Sequence, residues 1–447
     1  MSGMKASILI GLRQMSAVAL VIVALAGCAR ASEGEPRKSS ALELPQQTLL
    51  TSSMRQKPVR GWSVTVGQLG LPSDASLDPV GSFGERGVFL GVADEGWWLV
   101  GIGVNDGRRL FAPLRLGSTE GASDFKCFVN NAPDVLCIRQ AADPAAPSTA
   151  WVINTETGEL RFTGPTELRV AGAQDRPRVE QIGDYAVATL EGKGIYGLGP
   201  RGELTWFVPG NGILPAQFAT WARDAIPSSL AVQNSGRVAD VVFSVADGHV
   251  VEPKIEGDVQ LGQAVVYPGG FGYEYTTTSD MSERVAFFDD SGHELSEPEP
   301  GGTLETRSVD LPTVRSRLDY RIFAIDGRKL LTLPPSIPSP NARLIGPRFY
   351  IATDPDHERW QQFDLQTGEA GKTCDGDSLG FSYIASDGQV AVALGKDTPA
   401  QGIDLATCET LWSLPGPTQN EIKEVWKVHT TLLERSGDEL SSLVAPA

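Results

Sequence analysis

The stretch WWLVGIGVNDGRRLFAPL, residues 97–114, contains two short apolar strands joined by a turn in which an acidic residue precedes a glycine. An Asp-Gly pair between such runs is a strong signal for a β-hairpin. From residue 58 onward the chain has almost no 3.6-residue periodicity, and the hairpin unit returns instead. Copies lie at residues 151–164, 195–208, 241–253, 285–297, 320–333 and 360–374, with a variant lacking the glycine at 403–414 and a truncated copy at 432–443.

The spacing of the turn glycines predicts the type of repeat. Successive glycines are 51, 44, 46, 44, 35 and 41 residues apart, at Gly107, Gly158, Gly202, Gly248, Gly292, Gly327 and Gly368. Propeller blades of about 40–50 residues fit this period better than leucine-rich repeats of about 20–29. Further strand candidates lie between the hairpins, at residues 86–94, 184–191, 348–354 and 389–395.

Each repeat therefore has material for four antiparallel strands, which is the content of a propeller blade. We expect an all-β fold, a β-propeller over residues 58–447, with eight blades as the first choice and seven as the alternative. Residues 61–66 (GWSVTV) would supply a closing strand to a last blade completed by residues 424–437, which would remove the exposed sheet edges.

Three of the turns resemble the repeat of the quinoprotein-like (PQQ-like) β-propellers, which often reads Asp-x-x-Thr-Gly-x-x-x-Trp. These are NTETGELRF (154–162), DLQTGEAG (364–371) and DLATCETLW (404–412). The repeated tryptophan is retained at Trp412 and, displaced, at Trp206. The resemblance covers residues 60–446 and implies the propeller shape; we predict neither a quinone cofactor nor any other cofactor.

The N-terminus reads as an export signal. Lys5 and Arg13 precede Met15–Gly27, an uncharged stretch of 13 residues that is too short to span a bilayer. Leu25-Ala26-Gly27-Cys28 resembles the lipobox of bacterial lipoproteins. The resemblance implies that residues 1–27 are a signal peptide, and that Cys28 carries several acyl chains such as palmitate after cleavage.

Several acyl chains give stable anchoring, so we expect a location on the extracytoplasmic side of the cell membrane. Residues 28–57 are polar with poor periodicity, and we expect a flexible tether. The net charge of −17 argues against nucleic acid as a partner. The predicted partners are the membrane, through the lipid on Cys28, and an envelope protein.

The four remaining cysteines are Cys127, Cys137, Cys374 and Cys408, an even number that predicts two disulfides in an exported chain. Sequence alone leaves three connectivities open. Cys127 and Cys137 bracket a strand–turn–strand pattern and could meet across a hairpin, in which case Cys374 and Cys408 would pair across adjacent repeats. No Cys-x-x-Cys motif is present, so a redox or zinc site is disfavoured.

Two motifs resemble those of enzymes but lack the context that the chemistry needs. Gly376-Asp377-Ser378-Leu379 matches the GDSL esterase box, yet the only downstream histidine, His429, has Trp426 where the orienting aspartate belongs. Residues 192–197 (GKGIYG) satisfy G-x-G-x-x-G but are followed by a turn and a strand, whereas a dinucleotide site needs a helix N-terminus there. We predict no catalytic residues.

The candidate metal ligands also have sequences that are more typical of hairpin turns than of metal-binding sites. Residues 354–358 (DPDHE) and 375–377 (DGD) do not continue with the regular oxygen ligands of a calcium loop. His249 and His293 both follow turn glycines at equivalent positions of the repeat, which predicts hairpin residues. We predict no metal site.

Our leading functional hypothesis is a non-catalytic protein-binding or scaffolding module of the cell envelope. The alternative is a sensor of a small ligand or glycan, or an enzyme, using carboxylates in the propeller channel. That alternative requires two or more Asp or Glu side chains to face the channel with perturbed pKa values.

Overall fold

In most of the repeated turns a polar side chain, often an aspartate, holds the turn by accepting hydrogen bonds from backbone amides. Asp364 Oδ1 accepts from the amides of Gln366 at 2.8 Å and Thr367 at 3.0 Å. Asp404 makes the same pair of bonds, and Asn154 replaces the acid in another turn. The glycine that follows has a positive φ, a conformation that costs little without a Cβ. These two local requirements explain why the repeat is visible in the sequence.

The computed structural model describes residues 43–172, 175–215, 224–234, 239–305, 310–335, 341–354, 356, 359–418 and 422–447. Within these ranges the strands form nine antiparallel sheets. The chain begins the ring with β1 (Val59–Thr65) and a short helix, α1 (Val66–Leu69), whose N-terminus is capped by Thr65.

The first four sheets follow α1 in chain order. Blade 1 has β2 (Ser76–Phe83), β3 (Arg86–Ala93), β4 (Gly96–Gly103) and β5 (Leu114–Gly117). Blade 2 has β6 (Ala122–Val129), β7 (Asp134–Ala141), β8 (Ser148–Asn154) and β9 (Glu159–Thr166). Blade 3 has β10 (Arg178–Ile182), β11 (Tyr185–Leu190), β12 (Gly194–Leu198) and β13 (Leu204–Pro209). Blade 4 has two strands, β14 (Leu230–Gln233) and β15 (Val241–Ser244).

The next four sheets are four-stranded. Blade 5 has β16 (Val259–Tyr267), β17 (Gly270–Thr277), β18 (Glu283–Phe288) and β19 (Glu299–Pro300). Blade 6 has β20 (Thr303–Leu304), β21 (Thr313–Arg315), β22 (Tyr320–Phe323) and β23 (Lys329–Leu333). Blade 7 has β24 (Ala342–Ile345), β25 (Arg348–Ala352), β26 (Arg359–Asp364) and β27 (Ala370–Asp375), followed by a single 3-10 turn over Asp377–Leu379. Blade 8 has β28 (Tyr383–Ser386), β29 (Val390–Ala393), β30 (Gln401–Asp404) and β31 (Thr410–Ser413).

The last blade joins the two ends of the chain. Blade 9 has β32 (Lys423–Val428), β33 (Thr431–Ser436) and β34 (Glu439–Val444), and β1 pairs with β34 as its fourth strand. This confirms the predicted closure. The hydrogen bonds between β1 and β34 close the ring, and they join residues near the two ends of the described chain, such as Val59 and Val444.

Nine apolar clusters show that all nine sheets act as blades. Each cluster fills the space between two neighbouring blades, and together they run once around the ring. The two-stranded blade 4 contributes Ala231 and Phe243 to one side and Leu230, Val232 and Val242 to the other. The all-β propeller with four-stranded antiparallel blades is thus confirmed, with eight such blades among the described residues. Blade 4 is an additional ninth, one more than we expected.

The strand order assigns the turns to two faces of the ring. First strands of neighbouring blades contact each other, as β2 contacts β6 and β32, so they lie nearest the axis. Because the strands alternate in direction, the first–second and third–fourth turns share one end of every blade, which we call the hairpin face. The second–third loops and the connections between blades share the other end, which we call the connection face.

Residues 43–57 lie on the hairpin face, and we call this segment the strap. Leu44 packs against the cluster between blades 6 and 7, and Leu50 and Met54 are buried between blades 8 and 9. The expected flexible tether to residue 57 is therefore wrong for residues 43–57. Their few apolar anchors have no regular spacing, which is why no element is visible in the sequence. Residues 28–42 and the expected signal peptide, residues 1–27, lie outside the described residues.

Candidate functional site

Both expected disulfides are present in the structure. Cys127 and Cys137 stand directly opposite each other on β6 and β7, with their Cα atoms 4.0 Å apart. Cys374, on the fourth strand of blade 7, is bonded to Cys408 in the third–fourth turn of blade 8, with a Cα–Cα distance of 5.2 Å. The second disulfide therefore fastens two neighbouring blades. Cys28 lies outside the described residues.

The axis of the ring opens into a cavity of about 650 Å³ near the hairpin face. Its wall includes inner strands of blades 1, 8 and 9, the strap residue Thr48, and the segment Asp224–Pro227 that precedes β14. The strap crosses this end of the axis. Thr48 N donates to Asp224 O at 2.7 Å, and Ile226 N donates to Gln46 O at 2.9 Å.

A buried polar network ties the wall of this axial cavity together. The carboxylate of Asp224 is fully buried and lies 2.5 Å from Lys427 Nζ, through its Oδ1. Its Oδ2 accepts a hydrogen bond from the Tyr383 hydroxyl. The network joins the segment before blade 4 to the first strands of blades 8 and 9, which come from distant parts of the sequence.

Tyr383 connects the network to blade 7. The guanidinium of Arg343 lies 3.9 Å from the centre of the Tyr383 ring, and its Nε donates to Leu379 O at 2.9 Å. Burial and the neighbouring Asp224 carboxylate raise the pKa of the Tyr383 hydroxyl well above its ordinary value. Tyr383 therefore stays neutral and acts as a hydrogen-bond donor, because only the protonated hydroxyl can donate to Asp224.

The buried network favours a structural role for Asp224, Tyr383 and Lys427. Asp224 and Asp184 are the two carboxylates that line the cavity among the described residues. Asp224 is paired with Lys427 and accepts a hydrogen bond on each of its two oxygens, so both oxygens are already used in holding the wall of the cavity together. Sequence reasoning missed this network because Asp224 and Lys427 are 203 residues apart and neither belongs to a motif.

The motifs that we interpreted as turns lie on turns and strands. Ser378 lines a cavity between blades 7 and 8, whereas His429 lines the axial cavity. Gly192 lies in a tight turn, and Gly194 and Gly197 lie in β12, so the G-x-G-x-x-G sequence falls on a hairpin.

The candidate ligands are dispersed. Among the described residues, no group of three or more His, Cys, Asp or Glu could hold a metal ion. His249 lies in the exposed turn after β15, and His293 lies in the exposed third–fourth turn of blade 5, where its Nδ1 is 3.4 Å from Asp289 Oδ2. Asp354 pairs with Arg359 at 3.6 Å, while residues 355, 357 and 358 of that loop lie outside the described residues. No helix in the described part of the chain has the length and apolarity needed to cross a membrane.

The connection face carries the most exposed large apolar side chains. Five of them are between 54% and 82% exposed, and all lie in second–third loops or blade connections from blade 5 to blade 9: Met281, Leu318, Phe381, Leu394 and Ile422. Less exposed apolar side chains lie mainly on outer strands: Val59, Leu160, Leu204, Phe207 and Leu411. Apolar tips concentrated on one face are typical of a surface that contacts another molecule.

Comparisons with known proteins agree with nine blades. A family model described as a conjugation-associated 9-bladed beta-propeller domain matches residues 35–446. An uncharacterized protein of Mycolicibacterium smegmatis (strain MKD8) is 38% identical over 439 residues, covering 91% of this chain and 88% of that protein.

Two solved structures match the chain at low sequence identity and low structural similarity. BamB from Moraxella catarrhalis is 10% identical with a TM-score of 0.38, covering 87% of this chain and 98% of BamB. The computationally designed Ika8 protein is 12% identical with a TM-score of 0.36, covering 69% of this chain and 93% of that protein.

Proposed function

Because the chain belongs to the conjugation-associated nine-bladed β-propeller family, we propose that it is a membrane-anchored, extracytoplasmic lipoprotein that binds another envelope protein without catalysing a reaction. The partner that we propose is a component of the conjugation apparatus, as the description of the family suggests. The lipid on Cys28 supplies the anchor.

One observation carries the proposal: the five most exposed large apolar side chains of the described residues all lie on the connection face, in loops from blade 5 to blade 9. A rigid ring can present such loops over a broad surface, and buried apolar and aromatic side chains supply much of the energy of protein interfaces. The paired state of Asp224 in the axial cavity supports binding over catalysis.

The strap occupies the hairpin face, where it contacts turns of blades 7, 8 and 9. The connection face is free of the strap and is available to a protein.

In-cell crosslinking with affinity capture tests the proposal. The proteins compared are the wild type, Cys28→Ala, and a face variant with Leu318→Ser, Phe381→Ser and Leu394→Ser. A matched control carries Leu160→Ser, Phe207→Ser and Leu411→Ser on outer strands.

We expect the wild type and the control to capture the same conjugation protein, and the face variant to lose it. Cys28→Ala should leave the membrane fraction and lose the partner as well. Retention of Cys28→Ala in the membrane would contradict the anchor, and capture by the face variant at the wild-type level would contradict the surface.

A further inference from the structure

The strap shows how the hairpin face holds an extended chain. Its backbone amides donate to carbonyls of first–second turns, from Leu50 to Ser386 at 2.8 Å and from Thr51 to Thr430 at 3.1 Å. Gln47 exchanges two hydrogen bonds with the turn residue Gly346, at 2.9 and 2.8 Å. Apolar side chains of the strap enter the crevices between blades. The strap is therefore bound by the carbonyl groups of the turns and by the crevices between blades.

Turn carbonyls and inter-blade crevices are also open on blades 1 and 2, the next blades around the ring after blade 9. The hydrogen bonds of the described strap go to the segment before blade 4 and to blades 7, 8 and 9. Between blades 1 and 2 the hairpin face has a groove of about 550 Å³ that includes the apolar side chains of Phe83, Leu110 and Pro133. Ser82 and Gly84 line the axial cavity, and Phe83 and Glu85 line the groove, so one turn borders both.

The charges along this path favour a basic occupant. Arg86 is already paired with Glu156 at 2.7 Å, and Arg108 lies 3.7 Å from Asp106. Glu85 borders the groove and Asp184 borders the axial cavity; both are exposed, and neither forms an ion pair with a residue that the structure describes. The chain as a whole carries −17, which adds to the attraction of cations.

We propose that an extended peptide segment of a partner protein, carrying apolar residues together with Lys or Arg, binds from the axial cavity to the groove between blades 1 and 2. It repeats on blades 1–3 the mode by which the strap binds blades 7–9. In an extended peptide, residues two positions apart face the same side, so an apolar residue enters the groove while a basic residue two positions away meets Glu85 or Asp184.

This inference rests on the proposed protein-binding function, and it adds a second surface on the opposite face of the ring. A partner held on the connection face leaves the hairpin-face path free for a second contact. The ring would then join two polypeptides.

Phage display with random twelve-residue peptides on the purified full-length protein tests the inference. We expect the selected peptides to carry Lys or Arg two positions from an apolar residue. The synthetic peptide with the best signal should bind a Glu85→Gln/Asp184→Asn variant at least tenfold more weakly by fluorescence anisotropy. A control with Glu95→Gln and Asp397→Asn, both exposed on the connection face, should bind it as the wild type does.

Failure to select peptides, acidic or uncharged selected peptides, or equal binding to the groove variant would each overturn the inference. Equal thermal unfolding of the three proteins excludes a folding defect as the cause of weak binding. The selection needs neither a membrane nor an envelope partner, so its outcome is independent of the in-cell capture experiment.

Discussion

Cys408 occupies the turn position that glycine fills in blades 1–7, and its sulfur is bonded to Cys374 on the outermost strand of the preceding blade. The φ of Cys408 is 62°, close to the 69° of Gly107 and the 74° of Gly368. At that φ a side chain costs about 1–2 kcal/mol, a steric cost that glycine at the same turn position does not carry.

Variants that remove this disulfide separate its contribution to stability from the steric cost of a side chain at the left-handed turn position. The bond spans 34 residues, and the chain-entropy model gives about 4 kcal/mol for a loop of that length. Cys374→Ser should therefore lower the free energy of unfolding by about 4 kcal/mol. Adding Cys408→Gly should recover about 1 kcal/mol, because glycine adopts the left-handed turn without the steric cost.

Guanidinium unfolding of the variants measures both steps. Cys374→Ser/Cys408→Ser is the matched control and should be no more stable than the single variant. If Cys374→Ser/Cys408→Gly has the same free energy of unfolding as this control, a side chain at the left-handed turn position does not carry the steric cost that we assign to it.

Removal of Lys427 should be more damaging than loss of a surface charge. Lys427→Met leaves the buried Asp224 carboxylate without its cation, which costs about 3–5 kcal/mol in comparable buried pairs. Lys427→Met/Asp224→Asn should recover part of the loss, because Asn can still accept from Tyr383. Arg86→Met breaks the exposed pair with Glu156 and should cost less than about 1 kcal/mol.

Chemical unfolding in low salt measures these differences. A Lys427→Met variant as stable as Arg86→Met would show that the axial network contributes little to stability.

Asp404 should make the stability of blade 8 depend on pH. Burial alone would raise the pKa of the Asp404 carboxyl, but the amides of Thr407 and Ala406 and the Arg55 guanidinium outweigh it and lower the pKa. Because the pKa of Asp404 is lower in the folded state than in the unfolded state, the ionised carboxylate stabilises the fold at pH values above the unfolded pKa of about 3.9. This stabilisation is lost as the pH falls through the folded pKa.

Comparison with Asp404→Asn isolates this effect, because Asn retains an acceptor and does not titrate. The stability advantage of the wild type should be full near about pH 6 and should shrink as the pH falls below about 4. Arg55→Gln should reduce the advantage, since Arg55 lies 3.5 Å from Asp404. Urea unfolding across this range measures it, and an advantage that does not change with pH would be evidence against the assignment.

Gly107 should tolerate a side chain less well than a glycine in open space. Gly107 and Gly192 have similar φ angles of 69° and 74°. A Cβ on Gly107 would lie 2.4 Å from the Trp62 ring, whereas nothing lies within 4 Å of a Cβ on Gly192. Gly192→Ala should cost about 1–2 kcal/mol for the backbone alone, and Gly107→Ala about 1–3 kcal/mol more.

Trp62 belongs to β1, the strand that closes the ring, and its indole Nε1 donates to Val104 O at 2.9 Å. The tryptophan emission of the protein, to which Trp62 contributes, should therefore shift to longer wavelength in Gly107→Ala and not in Gly192→Ala. Equal destabilisation by the two substitutions would mean that Trp62 does not restrict this turn.

The sequence predicts the propeller because its turn signals are local. A side-chain acceptor and a left-handed residue lie within a few positions of each other, and this pair recurs in blades 1, 2 and 4–8. The nine hairpin units seen in the sequence correspond to the nine blades, although we expected eight. Unit 403–414 lacks the glycine, and the structure shows why: Cys408 takes its place through the disulfide.

The features that the sequence does not predict depend on long-range contacts. The strap uses Leu44, Leu50 and Met54 as anchors, and each packs against blades formed hundreds of residues later. The Asp224–Lys427 pair exists only after the ring has closed. The apolar tips of the connection face belong to loops, whose exposure no periodic pattern encodes.

The path of the strap has a mechanical consequence. Because β1 completes blade 9, tension on the chain upstream of residue 43 would load the hydrogen bonds between β1 and β34 if nothing intervened. The strap lies before β1, and its anchors at Gln47, Leu50 and Met54 must detach first. A pull from the N-terminal side would therefore peel the strap from the hairpin face before it could open the ring.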